Sequence, residues 1–190
     1  EGILDIVKEN TSSRCTASLV IYSNPRKELW FLGDCQALAN GQEYQFQKEA
    51  DRVLSDLRAL VIHVELSQGV TEDQLMEHDV SREWIIEFLK MQTRLQNSSH
   101  ACEFTYHVID GFFMNPEQQV EVIPVEATTA ELVLSSDGYP RLLPTLAETE
   151  AYLAEILRED PLCYKRYRST KGCYRNNLSF DDRVYLRFSV

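Results

Sequence analysis

The stretch from Thr16 to Asp34 decides the fold class, because it holds two β-rich runs joined by a short turn. The run Thr16–Ser23 (TASLVIYS) and the run Glu28–Asp34 (ELWFLGD) are separated by Asn24–Lys27 (NPRK). Branched and aromatic residues favour strands, and a four-residue connection with proline is typical of an antiparallel hairpin. The sequence therefore predicts a pair of antiparallel strands in this region.

Helical patterns follow the hairpin. Apolar residues recur at a spacing of three and four over Gln45–Leu66, which predicts an amphipathic helix. Thr71 and Gln74 form a capping-box pattern at the start of a second helix, which we expect to break near Asp79. A second capping box opens a third helix, Thr145–Arg158, which ends before a proline.

The remaining β-rich runs are separated irregularly along the chain. They are Phe104–Ile109, Val120–Val125, Glu131–Ser135 and Val184–Val190. Strands without regular alternation with helices indicate an α+β fold, in which apolar sheet faces pack together and helices cover an outer face. We expect one domain, residues 1–190, with a layered antiparallel β-sandwich flanked by helices. The pattern does not determine the strand order.

Composition restricts the partners and the cellular setting. The formal net charge is −11, so a nucleic-acid partner is not expected, because phosphate backbones are bound by basic surfaces. No apolar run of 18 residues and no signal-peptide pattern is present, so we expect no membrane partner. The oligomeric state stays open. The five cysteines are odd in number and lack a CxxC pair, which argues against structural zinc and a disulfide framework and favours a cytoplasmic setting.

Acidic residues stand at the edges of three predicted strands. They occur in Gly33-Asp34, Asp137-Gly138 and Asp181-Asp182. One Asp-Gly pair is weak evidence, because it is also a common turn dipeptide. Several carboxylates held at strand ends, however, can converge on a hard divalent cation.

The order of the motifs resembles the type 2C metal-dependent (PPM-type) serine/threonine protein phosphatases, particularly compact bacterial members. A small-Thr-Ala strand, a Gly-Asp-Ser hairpin end, a Gly-x-Ile-Thr helix start, a Leu-x-Ser-Asp-Gly strand end and a final Asp-Asn or Asp-Asp motif follow one another in that family. The similar segments in this chain are Cys15–Ser18, Gly33–Cys35, Gly69–Arg82, Leu134–Gly138 and Asp181–Val184.

This resemblance implies a fold, an activity and a site. The fold would be a layered αββα sandwich, and the activity would be hydrolysis of phosphoserine and phosphothreonine on proteins by a metal-activated water. Asp137 and Asp181 would coordinate one catalytic Mn²⁺ or Mg²⁺ of a cluster of two or three ions, and Asp34 would share a weaker third ion with Asp137. Gly138 would allow a tight turn beside the metals. We expect Asp182 to be a turn residue or a support for the ligands rather than a direct ligand.

The chain departs from the family pattern at its N-terminal end. In the family, a strand before the small-Thr-Ala strand ends in Asp-Gly, and that aspartate bridges two metals; no such motif precedes Cys15 here. The early acidic residues Glu1, Asp5 and Glu9 are expected in a helix and are not assigned as ligands. Since the chain begins at Glu1 rather than Met, we expect either a fragment without the first strands or a branch without the full metal site.

A basic stretch in this acidic protein allows two interpretations. It is either a solvated loop or a patch that attracts a phosphorylated or acidic partner. The residues of the basic stretch are Lys165, Arg166, Arg168, Lys171 and Arg175.

The histidine-arginine pair His78 and Arg82 is expected to pack or cap around a helix.

Two other functions are compatible with the sequence. The first is a catalytically inactive, phosphatase-like binding or regulatory module, which the missing Asp-Gly motif favours. The second is an amidohydrolase with an N-terminal nucleophile, in which cleavage between Arg14 and Cys15 would expose Cys15 with its own amine as base.

Overall fold

The computed structural model describes residues 14–112 and 119–190, which contain seven strands and four α-helices. The predicted helix that carries Glu1, Asp5 and Glu9 lies outside the described residues. The strands are β1 Leu19–Ser23, β2 Glu28–Leu32, β3 Gln36–Ala39, β4 Gln42–Gln45, β5 Glu121–Pro124, β6 Glu131–Ser135 and β7 Tyr185–Ser189. The helices are α1 Glu49–Ser67, α2 Glu72–Glu77, α3 Val80–Met91 and α4 Leu146–Glu159, and a 3₁₀ turn, Gln92–Leu95, follows α3.

The described strands form two antiparallel sheets. The first has the order β1-β2-β5 and the second has the order β4-β3-β6-β7. The predicted hairpin is confirmed, with Leu19 opposite Leu32 and Ser23 opposite Glu28. Every pairing within the two sheets is antiparallel, so the α+β class predicted from the sequence is confirmed.

The sheets share one hydrophobic cluster. Leu29 and Phe31 of β2 contribute from the first sheet, and Ala37, Leu132 and Leu134 contribute from the second. Because these positions alternate along their strands, each sheet directs one apolar face toward the other. The two sheets therefore pack face to face.

Helix α4 packs against the other face of the four-stranded sheet. Leu38 and Val133, which alternate with the inner residues of their strands, belong to a second cluster with Leu153 of α4. A third cluster joins Ile62 of α1 to Leu75 of α2. Side chains therefore pack on both faces of this sheet.

The hairpin between β3 and β4 was not predicted from the sequence. Its turn residues Asn40 and Gly41 have φ values of 49° and 78°, and Asn-Gly is the strongest short sequence signal for such a turn. Since β4 extends to Gln45, the helix predicted from that residue begins instead at Glu49.

The prediction of a continuous strand over Phe104–Ile109 was wrong. The segment makes isolated bridges with two separate partners, Ala17 opposite Ile109 and Gln96 opposite Tyr106. Between them, the Asn97 side-chain amide donates to the Val108 carbonyl (2.9 Å) and accepts from the Val108 amide (3.1 Å). The side chain thus satisfies the backbone groups that a neighbouring strand would otherwise pair.

The two helix starts predicted from capping boxes are confirmed. Both capping boxes form, at Thr71 with Gln74 and at Thr145 with Glu148. The expected break at Asp79 is the start of α3, where the Asp79 carboxylate accepts from the Arg82 amide at 3.1 Å. Among the described helices, none is both long enough and apolar enough to cross a bilayer.

Candidate active site

Asp34, Asp137 and Asp181 line one cavity of about 220 Å³. Asp34 follows the end of β2, Asp137 follows β6, and Asp181 precedes β7. The structure thus brings together the three carboxylates predicted as metal ligands, from segments that are distant in the sequence. Their role as ligands stays a prediction.

Two glycines let the segments of the site approach one another. A Cβ at Gly138 would meet the backbone oxygen of Asp182 and the Arg183 side chain, so the Asp137 turn lies directly against the segment that leads into β7. A Cβ at Gly33, which has φ +85°, would meet the Ser18 hydroxyl. Glycine is therefore required at position 138 by the close approach of another backbone and not by an unusual φ.

Asp34 is held as an ion in a nearly buried position. The Ser18 hydroxyl donates to one carboxylate oxygen at 2.6 Å, and the Lys48 ammonium lies 2.5 Å from the other. Burial acts to raise the pKa of Asp34, but the charge and hydrogen bond of Lys48 together with the Ser18 hydrogen bond lower the pKa below its ordinary value.

The surroundings of Asp137 disfavour the charged form of its carboxyl group. The residue is exposed at the mouth of the cavity, yet the surrounding walls remove part of the hydration of its carboxylate. That desolvation is the largest cause of the raised pKa of Asp137, and the negative charges of Asp34 and Asp181 add to it. A cation near Asp137 would relieve this repulsion.

Asp181 has its own lysine partner. The Lys171 ammonium lies 2.5 Å from the Asp181 carboxylate, and the Asp182 amide donates to the same carboxylate at 2.9 Å. Asp182 itself is exposed, and its role in the site stays a prediction. Burial and the nearby carboxylates Asp137 and Asp181 raise the pKa of the Tyr167 hydroxyl in the same cavity, so it stays protonated.

A loop after α4 carries Lys171 to the cavity and is fixed from both ends. The buried Asp160 carboxylate accepts from the amides of Lys165 and Arg166, at 2.7 and 2.9 Å. The buried Arg58 guanidinium donates to the Ser169 carbonyl at 3.1 Å, and Arg82 donates to that of Thr170 at 2.6 Å. These contacts position the segment before Lys171.

Arg58 and Asp160 were missed as structural determinants of the site. A signal for Arg58 exists in the sequence, because it lies four residues after Leu54 and four before Ile62, on the buried face of α1. An arginine on an apolar helix face is expected to meet a buried carboxylate or carbonyl groups. Asp160 had no comparable signal, since its backbone donors come from an irregular loop.

The five basic residues do not form an uncompensated patch. Arg168 and Lys171 line the cavity. Each of the five is paired with acidic side chains: Lys165 with Glu72, Arg166 with Glu155 and Glu159, Arg168 with Asp56, Lys171 with Asp181, and Arg175 with Asp73 and Glu77. The two cavity-lining residues remain available to an anion that competes with these carboxylates.

A second cavity of about 590 Å³ adjoins the first. Asp34, Lys48 and Asp137 line both cavities, while Ser18 and Tyr106 belong to the larger one. The three shared residues therefore form the wall where the cavities meet.

Cys15 and His78 lie apart from these contacts. Cys15 is exposed, and its neighbours Arg14 and Thr16 line the larger cavity while it does not. His78 is exposed beside Glu83, at 3.3 Å. Arg82 has the packing role that we expected, through its bond to the Thr170 carbonyl.

Comparison with protein-family models, curated proteins and solved structures returned no match for this chain.

Proposed function

We propose that this chain is a type 2C-like, metal-dependent protein serine/threonine phosphatase with a layered αββα sandwich. The observation that carries the proposal is the meeting of Asp34, Asp137 and Asp181 at one cavity. The raised pKa of Asp137 supports it, because clustered like charges favour a counter-cation.

The donor chemistry suits Mn²⁺ or Mg²⁺. Carboxylate oxygens are hard ligands, and Asp137 and Asp181 would hold a catalytic ion, with Asp34 completing a further one. Within residues 14–112 and 119–190, however, no three His, Cys, Asp or Glu side chains are close enough to surround one ion. Asp34 and Asp181 are instead held by Lys48 and Lys171.

The chain's own groups have distinct tasks in this proposal. Bound ions would supply a Lewis acid and an activated water for attack on phosphorus. Lys171 and Arg168 line the same cavity, where they would neutralise phosphate oxygens. The neutral Tyr167 hydroxyl would donate a hydrogen bond to the phosphoryl group as its charge develops.

The lysine pairs also favour a second candidate, an inactive phosphatase-like binding module. In such a module, Lys48 and Lys171 would permanently replace the cations that the carboxylates otherwise need. No comparable observation favours the amidohydrolase with Cys15. Its test is the intact mass, since processing would leave a chain that begins at Cys15.

Calorimetric titration with Mn²⁺ separates the first two candidates. The chain would be compared with Asp137→Asn and Asp181→Asn, and with Asp73→Asn as a matched control, because the Asp73 side chain is 85% exposed and does not line the cavity. Hydrolysis of a phosphothreonine peptide would be measured in the same samples. A phosphatase binds Mn²⁺ and turns over peptide, and both properties are lost in the two site variants but kept in Asp73→Asn. Absence of Mn²⁺ binding and turnover in the unaltered chain would contradict the proposal.

A further inference from the structure

Lys48 occupies the junction of the two cavities. Its side chain begins at the residue before α1, and its ammonium lies 2.5 Å from Asp34 and 3.8 Å from Asp51. The same ammonium lies 5.2 Å from the centre of the Tyr106 ring. A group bound at Lys48 is therefore accessible from both cavities.

The pair formed by Lys48 and Asp34 is largely withdrawn from water. The side chains are 20% and 15% exposed, so removing either partner leaves a poorly hydrated charge. Separating such a pair without compensation is strongly destabilising. If the Asp34 carboxylate binds a divalent cation, as the proposed function requires, it no longer pairs with Lys48, and the Lys48 ammonium needs another anion.

Asp51 does not fully replace Asp34 as that anion. Its nearest carboxylate oxygen is 3.8 Å from Lys48, and its other oxygen accepts from Gln92 at 3.0 Å. Asp51 is therefore suited to keep the lysine at the junction without holding it in a short ion pair. A phosphate group entering the cavity supplies the missing negative charge at the right place.

We infer that Lys48 binds the phosphate of the substrate, and that Asp34 holds the same ammonium while no divalent cation is bound. This inference rests on the proposed function and adds a phosphate-binding residue to it. The substrate is a phosphate monoester whose phosphate lies at the junction. Its organic group then has room in the 590 Å³ cavity, which has the usual size of a ligand pocket, whereas the 220 Å³ cavity is smaller than that range.

The test compares the unaltered chain with Lys48→Gln, Lys48→Arg and Lys90→Gln. Glutamine can still donate to Asp34 but has no charge, and arginine keeps the charge. Lys90 is 61% exposed on α3 and bonds Glu87, so Lys90→Gln is a control for the same change in net charge. Thermal melts followed by circular dichroism establish that all four proteins fold.

Two titrations are then made by calorimetry, first Mn²⁺ alone and then inorganic phosphate into the Mn²⁺-saturated protein. In Lys48→Gln we expect tighter Mn²⁺ binding, because the competing ammonium is gone, and phosphate binding weakened about tenfold or more. Lys48→Arg should keep most of the phosphate affinity, and Lys90→Gln should behave like the unaltered chain. With a phosphothreonine peptide, Lys48→Gln should raise KM.

The possible results distinguish failure of this inference from failure of the proposed function. Mn²⁺ binding and peptide turnover with an unchanged phosphate affinity in Lys48→Gln would overturn the inference alone and leave Lys48 as a simple counter-ion. Equal loss of phosphate affinity in Lys48→Gln and Lys90→Gln would also overturn it, because the effect would then be one of net charge. If the unaltered chain neither binds Mn²⁺ nor turns over peptide, the proposed function and this inference both fail.

Discussion

The Arg58 guanidinium donates to the Asp79 carboxylate at 2.6 Å, and both side chains are almost completely removed from solvent. The pair joins α1 to the start of α3. From the same position, Arg58 also donates to the carbonyls of Leu162 and Ser169, at 2.8 and 3.1 Å. One buried arginine therefore ties two helices to the loop that carries Lys171 to the cavity.

We expect Arg58→Met to destabilise the fold by about 3–5 kcal/mol, because it leaves the Asp79 carboxylate buried without a counter-charge. Urea unfolding followed by circular dichroism measures the change. Arg52→Met is the matched control, since Arg52 lies on the same helix but pairs with Glu49 and Asp56 at the exposed surface. The control should unfold like the unaltered chain. Equal losses in the two variants would show that the buried pair contributes nothing special.

Asp137 should lower the stability of the metal-free protein. Its raised pKa means that the folded state holds the proton more tightly than the unfolded state does, so ionisation of Asp137 opposes folding. Asp137→Asn should therefore raise the melting temperature at neutral pH in EDTA. The difference should shrink as the pH falls through the raised pKa, because the native carboxyl then becomes neutral as well.

The control for this prediction is Asp182→Asn, which removes an exposed charge three residues before β7. It should leave the melting temperature unchanged. Ionisation of Asp34 has the opposite effect and stabilises the fold. Because its pKa is lowered, its contribution to stability is present above the ordinary aspartate pKa and is lost below it. A melting temperature that falls in Asp137→Asn would contradict the electrostatic account of the site.

Local patterns in the sequence predicted the regular elements better than the long-range contacts of the site. Some signals depend only on neighbouring residues, so they can be identified without a structure. They are the capping boxes at Thr71 and Thr145 and the β-rich runs of β1 and β2 with their short turn. The Asn40-Gly41 turn was equally local and was overlooked. By contrast, the segment ending at Ile109 has strand-like composition, but the Asn97 side chain satisfies part of its backbone.

In the candidate site, too, the residues beside regular elements were predicted and their long-range partners were not. Asp34, Asp137 and Asp181 were identified because each adjoins a β-rich run, and the structure places them on one cavity. The lysines opposite Asp34 and Asp181 could not be assigned from the sequence. Lys48 reaches Asp34 from the start of α1, and Lys171 reaches Asp181 from a loop positioned by Arg58 and Arg82. Such pairings depend on the angles between elements, which local sequence does not encode.

Gly138 should be intolerant of a side chain. In Gly138→Ala, the new Cβ would overlap the Asp182 backbone oxygen, so one of the two segments has to move. We expect a loss of about 1–3 kcal/mol in urea unfolding. If the proposed metal site is correct, Mn²⁺ binding should also weaken, because Asp137 and Asp181 lie on the displaced segments.

Gly69→Ala provides the comparison for Gly138→Ala. Gly69 has φ +92° and nothing within 4 Å of an added Cβ, so alanine there strains the backbone by about 1–2 kcal/mol without crowding the cavity. It should leave Mn²⁺ affinity unchanged. If both variants alter Mn²⁺ affinity to the same extent, close packing at Gly138 does not set the geometry of the site.

The cysteines should differ sharply in reactivity toward iodoacetamide, because the thiolate is the reacting form. Cys15 is exposed, and hydrogen bonds from Thr105 lower the pKa of the partly exposed Cys102 thiol. Burial and nearby carboxylates raise the pKa of Cys35 to about 11 and that of Cys163 to about 12. At pH 7.5 we expect Cys35 and Cys163 to react more slowly than Cys102 by about a hundredfold or more, with Cys163 the slower of the two.

Peptide mass spectrometry after timed alkylation measures these rates site by site, and labelling in urea serves as the control, since all the thiols should then react alike. Cys35 is the informative position, because the charges of Asp34 and Asp137 contribute to its raised pKa. If divalent cations bind those carboxylates, Mn²⁺ should lower the pKa of Cys35 and speed its alkylation, while the rate at Cys163 stays constant. Rapid labelling of Cys35 in EDTA would contradict a buried thiol whose pKa is raised by the two carboxylates.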